Sequence, residues 1–161
     1  MGYKALKQPV SRRRGTTFLE LALVLVPLLA ILLAILDFGF AIFLRSTFQH
    51  SVREGVRYAV TSRTETGFGH DASIKRVVQT NSLGFLVGEG GASKIYIRYY
   101  VPGTLVETPS NAGGNIVEVS VEGYTWGWMA PLLRSALPPM IINSRSSDRM
   151  EPSPGGIPPP R

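Results

Sequence analysis

From Phe18 to Leu44 the chain is almost continuously apolar, and this run constrains everything else in it. A soluble core would spread its apolar residues along the chain with helix or strand periodicity. Here they are concentrated. Leu21 to Leu36 carries no charge and is interrupted only by Pro27. Extended to Leu44, across Asp37 and Gly39, the run is ample for a bilayer: a helix rises about 1.5 Å per residue and the hydrocarbon core is about 30 Å thick. Pro27 removes one backbone hydrogen bond and is expected to bend the helix in its first third. Phe38, Phe40 and Phe43 fall near the outer interface, and Arg45 closes the run.

The flanking charge orients the span. Lys4, Lys7, Arg12, Arg13 and Arg14 precede it with no acid among residues 1–15. Basic residues beside a span hold that end in the cytoplasm. The span explains the arginines without nucleic acid, and no nucleic-acid partner is expected. The apolar run is longer than the core of a secretory signal, and no small-x-small cleavage site follows "ILDFGF". The segment is therefore expected to remain as an anchor. Four regions result: a basic cytoplasmic leader at 1–15, a transmembrane helix at 16–44, an extracytoplasmic α+β domain at 45–151, and a Pro-rich disordered tail at 152–161.

Two carboxylates disturb the apolar run. An acid inside hydrocarbon costs several kcal/mol and is a functional candidate by default. Asp37 lies near the far interface, where it can reach water or contact a partner. Glu20 lies one helical turn from the cytoplasmic boundary and can reach back to water. It also has a sharper reading. Cleavage between Gly15 and Thr16 would start the chain T-T-F-L-E, with a free amine about one turn from Glu20. In a helical stack of such subunits, the amine of one copy meets Glu20 of a neighbour. Each charge then has a partner, so burial costs less and the axial register is set.

The residues Gly15-Thr16-Thr17-Phe18-Leu19-Glu20 match the G-x-x-x-x-E signature of type IV pilin-like proteins, placed between a basic head and an apolar helix. The stretch from Arg12 to Val60 resembles the amino-terminal region of the TadE-like family, pseudopilins of tight-adherence (Flp) pilus systems. The matching residues are Arg14, Gly15, Glu20, Pro27, Asp37, Phe38 and Gly39, then Arg53, Glu54, Gly55, Arg57 and Ala59. The resemblance implies a single-pass protein of the bacterial inner membrane, processed after Gly15 by a prepilin peptidase. Its implied partners are other pilins or pseudopilins, the pilus assembly platform and membrane lipid. An uncleaved, membrane-anchored binding domain is the alternative.

Beyond the span, Phe48, Val52, Val56, Ala59 and Val60 form a stripe at spacings of three and four, so the helix continues amphipathically to about Thr61. Arg53, Glu54 and Arg57 lie on other faces. Glu54 can pair with Arg57, and all three are candidate contacts to a partner pilin. Gly55 in mid-helix costs about 1 kcal/mol relative to Ala, which a close helix–helix approach would offset. Residues 62–70 read as a loop. Asp71 can cap a short helix burying Ile74, Val77 and Val78. Gly88 to Lys94 reads as a turn; the phosphate-loop pattern is absent.

"KIYIRYYV" and "NIVEVSVEGY" alternate with period two and read as strands, with Arg98 across from Glu118 or Glu122. "MIINSRSSDRM" reads as a third strand. Trp126 and Trp128, with Met129, either cap the sheet core or form an apolar patch that docks on membrane or a partner. The expected fold is α+β, a long helix whose outer half rests on a small antiparallel sheet. No enzyme is expected. The chain has no cysteine, its two histidines, His50 and His70, have no evident partners, and no metal-ligand spacing occurs. No cofactor is implied.

Overall fold

The computed structural model describes residues 13–161. Most of the basic leader thus lies outside the described residues. Helix α1 (Arg13–Val60) is followed by α2 (His70–Asn81) and the short α3 (Gly88–Ala92). Strands β1 (Ile95–Tyr100), β2 (Glu107–Thr108) and β3 (Ile116–Trp126) come next, then α4 (Pro131–Ala136) and β4 (Met140–Arg149). The strands form one antiparallel sheet in the order β2-β1-β3-β4.

α1 has 48 residues and passes through Pro27 without a break in helical structure. At about 1.5 Å per residue it is about 72 Å long. Its outer half carries one buried stripe: Ala41, Leu44, Phe48, Val52, Val56 and Ala59. The spacings are three and four, so all face one side, and that side meets β3, β4 and α2. Opposite them stand Ile95 and Tyr99 of β1, then Val117, Val119 and Val121 of β3, with Ile142 of β4. Each of the larger aliphatic side chains is worth about 1.5–3 kcal/mol when fully buried. The domain is therefore built onto the anchor helix rather than hung from it.

The two long strand patterns are realised in register. Ile97 pairs with Val119 and Arg98 with Glu118 across β1 and β3. On the solvent side Arg98 takes both acids. It grips Glu122 diagonally at 2.6 and 3.2 Å, and Glu118 lies 3.6 Å away. The third strand is present as β4, and a two-residue strand, β2, adds an edge beyond the sequence reading. β3 carries a bulge between Val121 and Tyr124, where Gly123 takes φ +68° and donates its N–H to Asn143. Past this bulge β3 continues to Trp126.

Three local expectations are corrected. Asp71 does not cap α2. The N-cap lies two residues earlier, at Gly69, and Asp71 instead accepts a hydrogen bond from the Tyr99 hydroxyl at 2.9 Å. Gly88 to Ala92 is helical rather than a plain turn. Gln79 holds its start by donating to the Leu86 and Gly88 carbonyls at 2.8 and 3.0 Å. The Pro-rich tail is not loose but docked. Pro159 O accepts from Asn111, Pro160 O accepts from the His70 N–H, and the Arg161 guanidinium pairs with Asp71 at 2.8 Å over the Tyr99 ring. An extended proline segment has no internal hydrogen bonds, so its carbonyls are free for such contacts.

Candidate membrane and assembly site

The sequence-derived candidates fall at three levels along α1. At the amino-terminal end, Gly15, Thr16 and Glu20 lie on one helical stretch. Four residues separate Thr16 from Glu20, a rise of about 6 Å. Glu20 is exposed and forms no ion pair among the described residues. Around it Phe18, Leu19, Leu21, Leu23 and Val24 are also exposed. The helix from Thr17 is long and apolar enough to cross a membrane, and none of its most apolar window is buried inside the protein. An acid among exposed apolar side chains is an unmet charge on a greasy rod.

Asp37 occupies the middle level and does neither thing expected of it. It is fully buried. Its Oδ1 accepts the Met129 N–H and its Oδ2 accepts the Ala130 N–H, both at 2.8 Å. Both oxygens are thus engaged within the chain, which leaves no carboxylate reaching water or offered to a partner. The reason is phase. Asp37 lies four residues before Ala41 and seven before Leu44, on the same face as the core stripe. The carboxylate is held by charge-assisted hydrogen bonds to two backbone donors, each worth about 1.5–3 kcal/mol.

Trp128 and Trp126 belong to the same junction and are likewise not free partner contacts. Trp128 is buried, lies edge-on to Phe38 with centroids 5.5 Å apart, and donates from Nε1 to the Pro138 carbonyl at 2.8 Å. Trp126 packs on Phe40 at 4.4 Å. Its indole N–H is buried and has no partner among the described residues. Phe40, Phe43, Phe48, Phe85 and Tyr124 continue the aromatic layer into the core. The tryptophans therefore cap the sheet core against α1, the first of the two sequence readings, while Met129 points outward.

At the outer level Arg53 and Arg57 are exposed, and Glu54 is half-buried. Arg57 pairs with Glu54 at 3.2 Å. An exposed pair of this kind contributes roughly 0–1 kcal/mol, so these residues are free to meet something else. Gly55 is different. A Cβ there would stand 2.6 Å from Val78 Cγ2. The close approach that Gly55 permits is thus between α1 and α2 of the same chain, not with a partner.

Two groups outside the sequence candidates are electrostatically unusual. His70 is buried, with Nδ1 donating to the Arg63 carbonyl at 3.0 Å and Nε2 unpartnered among the described residues. Burial lowers its pKa, because the imidazolium would lose its water. Burial, then the Asp71 carboxylate, pushes the Tyr99 hydroxyl well up. Neither group lines a reactive cleft. Among the described residues no cluster of three or more His, Asp or Glu side chains is arranged to hold a metal ion.

An apolar helix that runs on as the spine of an antiparallel sheet makes an α+β arrangement with one candidate membrane helix among the described residues. The family model for TadE-like protein matches residues 15–57, the segment from the proposed cleavage glycine to the exposed Arg57. Over that segment the chain is similar to TadE-like proteins. The family is a structural, pilin-type one. No curated protein matches the chain, and no solved structure matches it.

Proposed function

We propose that the protein is a TadE-like pseudopilin, a minor pilin that acts in assembling a tight-adherence (Flp-type) pilus after a prepilin peptidase cuts between Gly15 and Thr16. The carrying observation is Glu20. It is an exposed acid on the apolar part of α1, without an ion-pair partner among the described residues, four residues beyond Thr16 and inside the segment that matches the TadE-like model. A new amine at Thr16 of a neighbouring subunit supplies the missing charge, which lowers the penalty for burying either one. The charge asymmetry supports an orientation in the inner membrane with the amino end cytoplasmic and the domain outside. The exposed Arg53 and Arg57, with the half-buried Glu54 beside them, are the residues offered to other pilins or to the assembly platform.

The reading is tested by Glu20→Ala and Glu20→Asp in cells that make the pilus. Glu20→Ala should insert into the membrane at the level of the parent chain but lose cross-linking to neighbouring pilins, and piliation with it. Glu20→Asp should retain part of both. Unchanged piliation and cross-linking in Glu20→Ala would remove the assembly role of this carboxylate.

A further inference from the structure

The connection between β3 and β4 has the composition of a membrane-seeking element. From Trp126 to Ile142 it holds one charge, Arg134, among Trp, Met, Leu, Ile, Ala and Pro. It is also largely uncovered by protein. Met129, Leu132, Leu137 and Ile141 are exposed, and no residue of α4 is buried. Exposed apolar side chains clustered on one segment require an occupant.

The position of α4 says what that occupant is. Leu132 and Leu133 lie beside Ala30, Ile31 and Ala34 of α1, around an entirely apolar cleft. Those α1 residues belong to the apolar stretch that precedes Asp37; Ile31 is exposed, and Ala30 and Ala34 are half-buried. Phe18 to Leu36 spans about 28 Å at 1.5 Å per residue, close to the thickness of the hydrocarbon core. Asp37 therefore marks its outer edge, and Ile31 to Ala34 lie roughly 5–9 Å beneath it. α4 is at the same depth, beside helix surface already assigned to lipid.

The backbone of the segment is prepared for such surroundings, where an unpaired N–H is expensive. Pro131, Pro138 and Pro139 have no N–H to satisfy. Asp37 takes the Met129 and Ala130 donors. The Arg134 and Leu137 N–H groups bond to the Ala130 and Leu133 carbonyls at 2.9 and 2.8 Å. Trp128 Nε1 is engaged by Pro138. Arg134 is exposed near Gly127 and Trp128, so its long stem can lie in the apolar layer while the guanidinium rises to the headgroups.

We infer that residues 127–141 form a second membrane contact, a wedge clamped to α1 by Asp37 that inserts α4 into the outer leaflet. The protein is then held at two points, which fixes the tilt and rotation of the domain against the bilayer as a lone helix would not. The inference rests on α1 being a membrane anchor but not on cleavage or pilus assembly.

The absence of cysteine makes the test direct. Single variants Leu132→Cys, Ile31→Cys and Leu83→Cys of the full chain are labelled with NBD and reconstituted in phosphatidylcholine–phosphatidylglycerol vesicles. Leu83 is exposed but belongs to the turn after α2. The label at 132 should be quenched by nitroxide-bearing lipid at least several-fold more than at 83, approaching 31, and resist aqueous dithionite. Intrinsic fluorescence of the two tryptophans should also fall with brominated lipid. Rapid dithionite reduction at 132 with lipid quenching intact at 31 would overturn the wedge alone. Protection from dithionite without lipid quenching would mean a protein neighbour covers the segment, and would overturn it too. Loss of lipid quenching at both 31 and 132 would overturn the anchor as well.

Discussion

Phe18–Leu36 and Asp37–Val60 are consecutive stretches of one helix, yet they face different surroundings. In the first, the large apolar side chains are exposed around the helix and Glu20 stands without an ion-pair partner among the described residues. In the second, one face disappears into a sheet and a second helix, while the opposite face keeps Arg53 and Arg57 in the open. The acids follow the same division. Asp37 has both oxygens engaged by its own chain, and Glu20 has neither engaged within the chain's described residues. An acid that folding already satisfies is a structural clamp. An acid that folding leaves unmet is a demand on some other molecule.

Asp37→Ala should be the most damaging change to the outer region. It strips two backbone donors of their acceptor beside α4, and a loss of about 3 kcal/mol in domain stability is expected from the two bonds together. Asn, which offers one carbonyl oxygen, should recover part of that loss. Denaturant unfolding in detergent measures both. Were Asp37→Ala as stable as the parent, the division of the helix at Asp37 would be wrong.

Acid should act on the outer region alone. Burial lowers the His70 pKa in the folded domain. Below about pH 6.5, the ordinary histidine value, the unfolded chain binds a proton that the folded one resists. Stability is therefore complete above that pH and falls as pH drops, by at most about 1.4 kcal/mol per pH unit. His70→Asn should flatten this part of the profile. Helicity of the lipid-facing region, followed in vesicles, should not change over the same range.

Gly55→Ala should cost about 1 kcal/mol. The methyl gains helix propensity but meets Val78 at a distance no Cβ tolerates, and Val78 is stiff and buried. Pairing it with Val78→Ala should yield a favourable coupling in a double-mutant cycle. The smallest folding effect is expected for Arg57→Ala, within about 0.5 kcal/mol, because its pair with Glu54 is exposed. A much larger destabilisation by Arg57→Ala would show that this face is not spare surface.

Much of the helix was legible because its signals are periodic and local. The apolar run, the stripe from Phe48 to Ala59 and the alternation in β1 and β3 each repeat often enough to be read. Asp37 was legible in kind but not in role. Its phase with Ala41, Leu44 and Phe48 was present in the sequence, but its acceptors' donors are backbone groups of Met129 and Ala130, which carry no side-chain signature. The same limit hid the docked tail. Carbonyls of Pro159 and Pro160 accept from Asn111 and His70, respectively, across long sequence separations, and composition alone suggested a loose end. β2 escaped notice because two residues cannot display a period. The Trp126 and Trp128 pair admitted two readings until the aromatic layer on α1 placed them.

The proposed assembly role depends most on what happens beside Gly15. Intact mass of the protein extracted from native membranes addresses this directly, because removing the basic leader shifts the mass by a known amount. A chain beginning at Thr16 is the predicted result. A chain that retains its arginines would leave Glu20 without the amine proposed to neutralise it, and would contradict the assembly role drawn from the unmet charge.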